Sequence, residues 1–332
     1  MKKLIFILSL IFTSQLYAFQ YVKGSTTVFA NLLGWTVREG GDEDWGEIIN
    51  QPGNNISEKN LQAAFNWNTG FRIGIGYNNS NDWDSVLYYT SYQTKATSQV
   101  TAPAQIYSPY LGNFFAANNT LGANNGPFYN SASLIWRFAF NTLDFELGRS
   151  FKIDKILTIR PFLGIKGAVI NQKIYTNWQG PNTLNALGTT VPITSFTSAS
   201  ENLTQDFTGI GPSFGVNTTW PVYKISNGSF NLFGNFSAAL LYGVWRFTQV
   251  YQNDAPSSVT TLVDDVHGVA PVTRAFVGIE WAGTFPNVDA NVRLGYEGQV
   301  WFDQMQLNSL NGGRLNDIMS LQGGVLDFSF KF

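Results

Sequence analysis

The chain has 332 residues, of which 15% are aromatic and only 13% are charged, with no cysteine and a formal net charge of −2. Ordinary soluble domains carry about 25% charged residues. The lack of cysteine excludes disulfides and thiolate metal sites, and the weak charge gives no indication of a nucleic-acid partner. We expect no cofactor and no metal.

The N-terminus is typical of a secretory signal peptide. Lys2 and Lys3 precede an apolar run from Leu4 to Phe12, and a polar stretch then leads to Ala18. The apolar run is too short to span a bilayer as a helix. We predict that residues 1–18 are removed and that residues 19–332 form a single exported domain.

Alternation of apolar and polar residues predicts β-strands along the rest of the chain. The segment NTGFRIGIGYN places Phe71, Ile73 and Ile75 on one face and Arg72 on the other. The segments LTIRPFLGIKGAV, FNLFGNFSAALLYGV and DANVRLGYEGQVWFD alternate in the same way. Strands of globular sheets usually have about 5 to 6 residues. These segments are long enough to cross a membrane, which a sheet can do only as a closed barrel.

The connections predict how such a barrel is oriented. Short turns near 78–82, 152–156, 221–228 and 283–287 alternate with long polar stretches near 40–62, 96–128, 177–203, 249–269 and 304–316. Tight periplasmic turns and longer external loops are typical of outer-membrane barrels. We predict an all-β, transmembrane, antiparallel up-and-down barrel of about ten strands, with twelve as the alternative.

One segment does not keep its phase. In SASLIWRFAFNTLDFELGRSF the apolar series occupies even positions through Phe140 and odd positions from Leu143. A bulge near Asn141 would shift the phase of one long strand, whereas a hairpin at Asn141 and Thr142 would change the strand count. We favour the bulge, because a hairpin would place a long loop on the periplasmic side.

Aromatic residues and inward charges extend the membrane interpretation. Aromatic side chains lie beside the short turns, as expected for an aromatic belt at the inner interface. Charged residues occupy the polar faces of the strands and are the predicted pore lining: Arg72, Arg160, Lys166, Arg274, Glu280, Arg293, Glu297 and Asp327. Such charges require either water or mutual pairing inside the barrel. A wet lumen would be a pore, whereas a fully paired lumen would be a plug.

Catalysis is not indicated. His267 is the only histidine, and it lies beside Asp264 and Asp265 in a stretch predicted to be an external loop. A lone histidine in a long loop lacks the partner and the reacting group that a general base needs. The acidic run GGDEDWGE does not match the spacing of a calcium-binding loop. We predict that the protein is not an enzyme.

Several segments together resemble the Legionella-type major outer membrane protein family. They are VFANLLGWTVREGGDEDWGEI, WNTGFRIGIGYNNSNDWDSVLYYTSYQTK, LDFELGRSFKIDKILTIRPFLGIKGAVINQK, FTGIGPSFGVNTTWPV and NFSAALLYG. The resemblance covers most of the chain from Val28 onwards. It implies a pore-forming barrel in the outer membrane. It also leaves open a non-covalent homo-oligomer, and the lack of cysteine excludes a disulfide-linked one.

The C-terminus resembles the signature that the outer-membrane assembly machinery recognises. The segment GVLDFSFKF ends with Phe328, Phe330 and Phe332 at alternate positions. We expect this Phe face to contact lipid and to serve as the assembly signal.

Two functions remain open. The first is a passive pore for ions or small hydrophilic solutes, which the resemblance and an excess of inward arginines over inward carboxylates favour. The second is a closed surface barrel, either an adhesin or a structural protein, that acts through its external loops.

Overall fold

The computed structural model describes residues 24–40, 44–50, 57–79, 82–108, 127–154, 157–184, 190–255, 258–309 and 313–332. The predicted signal peptide lies outside the described residues. Fifteen strands are present in these ranges: β1 (Ser25–Glu39), β2 (Asp44–Asn50), β3 (Ser57–Gln62), β4 (Asn68–Asn78), β5 (Trp83–Tyr107), β6 (Tyr129–Arg149), β7 (Phe151–Asp154), β8 (Leu157–Gln179), β9 (Asn182–Leu184), β10 (Thr190–Pro192), β11 (Ser198–Ile225), β12 (Gly228–Asn253), β13 (Ser258–Phe285), β14 (Val288–Ser309) and β15 (Gly313–Lys331). Within the same ranges, no helix is long and apolar enough to span a membrane.

Ten of the strands close into one antiparallel barrel. The first strand, β1, pairs with β4 on one side and with the last strand, β15, on the other. The circuit runs from β4 through β5, β6, β8, β11, β12, β13 and β14 back to β15. Closure leaves no free strand edge, as lipid requires. The prediction of ten barrel strands is confirmed, and the alternative of twelve is excluded.

The short turns lie at one end of the barrel, as predicted, whereas much of the long polar stretches is strand. The stretch 249–269 was expected to be a loop, but β12 continues to Asn253 and β13 begins at Ser258. The stretch 96–128 likewise contains the end of β5. These segments were mistaken for loops because their outward residues are polar. The outer wall faces water here, while apolar residues point inward. The external loops are therefore shorter than the sequence suggested.

Two small hairpins lie at the external end of the barrel, which is the end opposite the short turns. The β2–β3 hairpin is joined to the end of β5 through Glu47 opposite Tyr107 and Ile48 opposite Ile106. A second small hairpin consists of β9 and β10. At the opposite end of the barrel, the short strand β7 pairs with the beginning of β8. The external end is thus the more elaborate one.

Strand β6 contains no bulge near Asn141, so the bulge predicted there was wrong. Its pairing with β5 and β8 keeps one register across that residue. Even-numbered residues point inward from Ala132 to Gly148, so Phe140 and Asp144 share the inner face. The apolar series changes position because the composition of the interior changes from aromatic to charged. A hairpin at Asn141 is excluded by the same continuous register.

A band of exposed apolar side chains surrounds the outer wall. On β6 it consists of Leu143, Phe145 and Leu147, which are 47%, 43% and 47% exposed. Exposed aromatic residues border this band near the short turns: Trp83, Phe151, Trp220, Tyr223, Phe285 and Phe332. This arrangement is the apolar belt with an aromatic girdle that lipid-facing barrels present. The side chains of Phe328 and Phe330 belong to the same outer wall.

Candidate functional site

The barrel interior divides into two halves of different chemistry. We define the periplasmic half as the inward residues between the short turns and the level of Arg72 and Lys166. The external half begins with Trp35, Phe140 and Trp301 and continues away from the short turns. All eight predicted pore-lining side chains lie in the periplasmic half. Their role as a pore lining stays a prediction, while their contacts can be described directly.

The centre of the periplasmic half is the fully buried carboxylate of Glu297 on β14. Arg72 on β4 binds it through two nitrogens, with Nη1 at 3.0 Å from Oε2 and Nη2 at 2.8 Å from Oε1. Arg274 donates to Oε2 at 2.9 Å, and Gln299 donates to Oε1 at 2.8 Å. Because β4 and β14 lie three strands apart in the barrel, the Arg72–Glu297 pair crosses the lumen.

Arg72 is held on its other sides as well. Its Nε donates to Oγ1 of Thr90 at 3.0 Å. The guanidinium carbon lies 5.7 Å from the ring centroids of both Trp35 and Tyr88. Planar guanidinium groups favour such stacking together with bidentate carboxylate binding. Arg72 is therefore fixed by contacts from several strands rather than free to move with solvent.

A second group of ion pairs lies against β5, β6 and β8. Arg160 pairs with Asp84 and, through Nη1, with Oε2 of Glu146 at 2.9 Å. Tyr88 donates to Oε1 of the same glutamate at 3.0 Å. Lys166 pairs with a second carboxylate on β6, at position 144, at 2.6 Å. The cations on β8 are thus neutralised by carboxylates that sequence reasoning did not single out.

The remaining charges lie on β13, β14 and β15. Arg293 pairs with Glu280, whose other oxygen accepts from Asn231 at 2.8 Å. The Oδ2 atom of Asp327 accepts from Asn31 at 3.3 Å. In the described part of the chain, Oδ1 of Asp327 is buried without a hydrogen-bond partner. Asp327 is therefore the least satisfied carboxylate of the network.

Charges in this network nearly balance. Among the described residues it contains five cations, Arg72, Arg160, Lys166, Arg274 and Arg293, and six carboxylates, Asp84, Asp144, Glu146, Glu280, Glu297 and Asp327. The expectation of an excess of inward arginines was therefore wrong. Asp144 and Glu146 alternate with the lipid-facing residues of β6, so the strand pattern did contain the signal that places them inside.

A cavity of about 330 Å³ opens below the Glu297 cluster. Its walls include Asn78, Thr219 and Ser329 near the short turns, and it reaches up to Arg72 and Arg274. This vestibule lies on the periplasmic side, and the aromatic side chains of the external half lie above it.

The external half is a hydrophobic core. Phe140 on β6 lies 5.3 Å from Trp301 on β14 and 6.4 Å from Trp35 on β1, measured between ring centroids. Strands β6 and β14 lie on opposite sides of the ten-stranded circuit, so the Phe140–Trp301 contact spans the lumen. The largest fully buried side chains belong mainly to this core: Trp35, Trp45, Trp136, Trp178, Trp245, Trp301, Tyr92, Tyr129, Tyr251, Phe138, Phe140 and Phe207.

Glu201 on β11 is a carboxylate buried within this core, beyond the apolar band of the outer wall. Burial raises the pKa of Glu201 to about 8, and the hydrogen bond from Thr176 opposes that shift only in part. The Thr176 hydroxyl donates to Oε2 at 2.8 Å, while Oε1 has no partner among the described residues. Glu201 thus binds a proton at neutral pH.

His267 does not lie in a loop, as the sequence suggested, but on the outward face of β13. Its ring stacks on Tyr242 at 6.1 Å and 20°. The neighbouring Asp265 instead pairs with Arg246 at 3.1 Å. In the part of the chain that the structure describes, no group of three or more His, Cys, Asp or Glu residues could hold a metal ion. The absence of catalysis stays a prediction.

A family model described as "Legionella pneumophila major outer membrane protein precursor" matches residues 27–332. No curated protein matches the chain significantly.

The chain also resembles solved outer-membrane structures. The outer membrane protease OmpT from Escherichia coli is 10% identical with a TM-score of 0.40, over 94% of this chain and 97% of that chain. A major outer membrane protein from Thermus thermophilus is 10% identical with a TM-score of 0.35, over 93% and 99%. The attachment invasion locus protein Ail of Yersinia pestis is 8% identical with a TM-score of 0.25, over 93% and 99%. At these TM-scores the resemblances carry no argument about function.

Proposed function

This chain belongs to the Legionella major outer membrane protein family, an outer-membrane β-barrel family, and we propose that it works as a closed surface barrel. The observation that carries the proposal is the contact of Phe140 with Trp301 across the lumen. An open passive pore needs a continuous water-filled path. Here the described interior offers a vestibule below and an aromatic core above.

The charged network supports the same proposal. A guanidinium or carboxylate that lines a wide aqueous channel can be hydrated, so it has no need of a protein partner. The inward charges instead share carboxylates, as Arg72 and Arg274 share Glu297. The Arg72–Glu297 pair, which joins strands three apart in the circuit, occupies space that a solute would need.

The external end supplies the surface that such a barrel presents. Strands such as β11 and β13 have 28 residues each, far more than the about 9 to 11 that cross the hydrocarbon. Their aromatic interior makes the projecting part a rigid platform for the β2–β3 and β9–β10 hairpins and for the external loops. We therefore propose that the protein acts by binding other molecules at its external end.

The experiment is a conductance measurement on the refolded mature chain, residues 19–332, in a planar bilayer. Folding is verified first by heat-dependent mobility on a gel. We expect no discrete current steps from folded protein at any salt concentration, because the lumen is filled. Reproducible steps whose ion preference changes in Arg293→Glu would overturn the proposal and support a passive pore.

A narrow, gated path is the second candidate, and the vestibule of about 330 Å³ is the observation that favours it. Among the described residues, the Glu297 cluster and the aromatic core separate this space from the external side. A matched measurement on cells distinguishes the two candidates. If the protein is a closed barrel, cells that lack it take up small hydrophilic solutes at an unchanged rate. If it is a gated pore, cells that lack it take up these solutes more slowly.

A further inference from the structure

Three cations lie side by side on the outer wall of the barrel. Lys95 on β5 is directly opposite Arg137 on β6, which is directly opposite Lys173 on β8. All three side chains are exposed and point away from the lumen. Like charges directly opposite each other on neighbouring strands are destabilising. The row therefore costs folding free energy unless an anion binds to it.

The same three residues line a groove. A cavity of about 440 Å³ on this part of the wall includes all three cations together with the amide side chains of Gln93 and Asn171. Amide nitrogens and ammonium or guanidinium groups are hydrogen-bond donors, and they suit phosphate oxygens. Ala139 lies between the polar residues and leaves room in the groove. The groove thus combines positive charge, donors and space.

The next strands at the same level carry balanced charges instead. Asp206 on β11 is directly opposite Arg246 on β12, and Arg246 pairs with Asp265 on β13 at 3.1 Å. Asn171 at the edge of the groove donates to Asp206 at 2.5 Å. By contrast, no salt bridge within the described ranges involves any member of the cation row. Among the described residues compared at this level, the cations without a salt bridge lie on β5, β6 and β8.

The level of the row relative to the membrane identifies the anion. The apolar band below it ends at Leu143 on β6 and at Val169 on β8, which are six and four residues from Arg137 and Lys173. With the usual rise and tilt of barrel strands, the row lies about 10 to 15 Å above the hydrocarbon. Long cationic side chains can reach back towards that boundary. Lipid headgroups occupy this level.

We propose that the groove formed by Lys95, Arg137 and Lys173 binds the phosphorylated sugar headgroup of an outer-leaflet glycolipid. The phosphate groups neutralise the row, Gln93 and Asn171 donate to headgroup oxygens, and the acyl chains lie along the apolar wall beneath. This site is on the outside of the barrel, so it is independent of whether the lumen conducts.

The test measures binding of purified lipopolysaccharide to the folded mature chain in detergent, at two salt concentrations. Dephosphorylated lipopolysaccharide and inorganic phosphate serve as the comparison ligands. The variant combines Lys95→Gln, Arg137→Gln and Lys173→Gln, and the matched control is Arg246→Gln, an exposed cation at a similar level that has its own carboxylate partner. Heat-dependent gel mobility verifies folding, and the single variant Arg137→Gln replaces the triple variant should the latter fail to fold.

We expect the triple variant to bind lipopolysaccharide at least about tenfold more weakly, since each basic residue near an anionic lipid surface adds to the attraction. Arg246→Gln is expected to stay within about twofold of the unmodified protein. Dephosphorylation of the ligand should cause a loss similar to that of the triple variant, and higher salt should weaken binding. Equal affinity of the triple variant and the unmodified protein would overturn the proposal. Inorganic phosphate that displaces the lipid at equal concentration would also overturn it, because the site would then recognise free phosphate.

Discussion

The two halves of the barrel interior use opposite means to fill the same circular cross-section. In the periplasmic half, strand β6 contributes Asp144 and Glu146 to ion pairs with Lys166 and Arg160. Phe140, four residues before Asp144 on the same inner face, packs on Trp301. The backbone register does not change between them. The difference therefore comes from the side chains alone.

The outer wall shows the complementary change. Where the interior is charged, the outer residues of β6 are apolar and contact lipid. Where the interior is aromatic, the outer residues include Arg137 and Asn141, and Asn141 accepts from the hydroxyl of Tyr89 at 2.7 Å. The apolar series switches faces because the surrounding solvent changes from lipid to water. Between Arg137 and Leu147 on β6, the inner face is thus apolar where the outer face is polar, and charged where the outer face is apolar.

The largest expected effect comes from breaking the charged half at its centre. Glu297→Ala removes the acceptor shared by Arg72 and Arg274 and leaves two buried guanidinium charges unpaired. We expect a loss of about 3 to 5 kcal/mol in the free energy of unfolding, measured by urea unfolding in lipid vesicles. Asp289→Ala on the same strand, near the periplasmic turn, is the control and should cost about 0.5 kcal/mol or less. Equal losses in the two variants would contradict the role of the Glu297 cluster.

Breaking the aromatic half should cost about 3 kcal/mol. Trp178 packs on Trp45 of β2 at 5.6 Å and on Tyr129 at 5.5 Å between ring centroids. Trp178→Ala removes a large buried ring and releases the β2–β3 hairpin, so the loss is expected at the lower end of the range for such truncations. Limited proteolysis should then cleave the hairpin. Trp220→Ala in the exposed girdle is the control, and hairpin cleavage there as well would count against the docking role of Trp178.

The outer wall can be tested with two lysines on one strand. Phe145→Lys places a charge in the middle of the apolar band on β6 and should cost about 2 to 4 kcal/mol in folding into vesicles. Ile135→Lys lies on the same face of β6, beyond the band, where water hydrates the charge. We expect its effect to be about 0.5 kcal/mol or less. A similar cost at both positions would show that the band extends past Asn141.

The smallest expected effect is a pH dependence of stability that comes from Glu201 in the aromatic half. Because burial raises the pKa of Glu201 to about 8, the folded protein holds a proton that the unfolded chain has lost above its ordinary pKa of 4.5. Stability should therefore decrease as pH rises from about 4.5 to about 8, and level off above. Glu201→Gln mimics the protonated form and should remove this dependence.

At pH 9 the Glu201→Gln variant should be more stable by about 1 to 3 kcal/mol, the usual cost of an unsatisfied buried polar group. Urea unfolding at pH 5 and pH 9 measures both quantities. The exposed Asp265→Asn variant is the control, for which no such gain is expected. If stability changes with pH in the same way in Glu201→Gln and in the unmodified protein, Glu201 is not the source of the pH dependence.

Much of the barrel was predictable from alternation. The segment containing Phe71, Arg72 and Ile73 has one side for lipid and one for the lumen, and the structure places each residue on the expected side. The short turns were predictable from their turn-forming residues. The strands of the external half were harder to identify, because their outward residues are as polar as those of loops.

The candidate site was predictable only in part. All eight inward charges were identified from strand phase, but Asp84, Asp144 and Glu146 were not singled out as their partners. Their omission led to the expectation of excess positive charge inside the barrel. Charge balance depends on every inward residue of every strand, so a partial set gives the wrong sign.

The sequence by itself determined that the strands are long, which face of each is apolar, and that the sheet must close, because these properties follow from a two-residue period and from the requirement to pair every backbone amide in lipid. Only the tertiary structure decided which inward side chains meet across the lumen. Arg72 and Glu297 are 225 positions apart, and Phe140 meets Trp301 only because the ten strands bring opposite walls within the reach of two side chains. Barrel closure sets those distances, and local patterns carry no information about them.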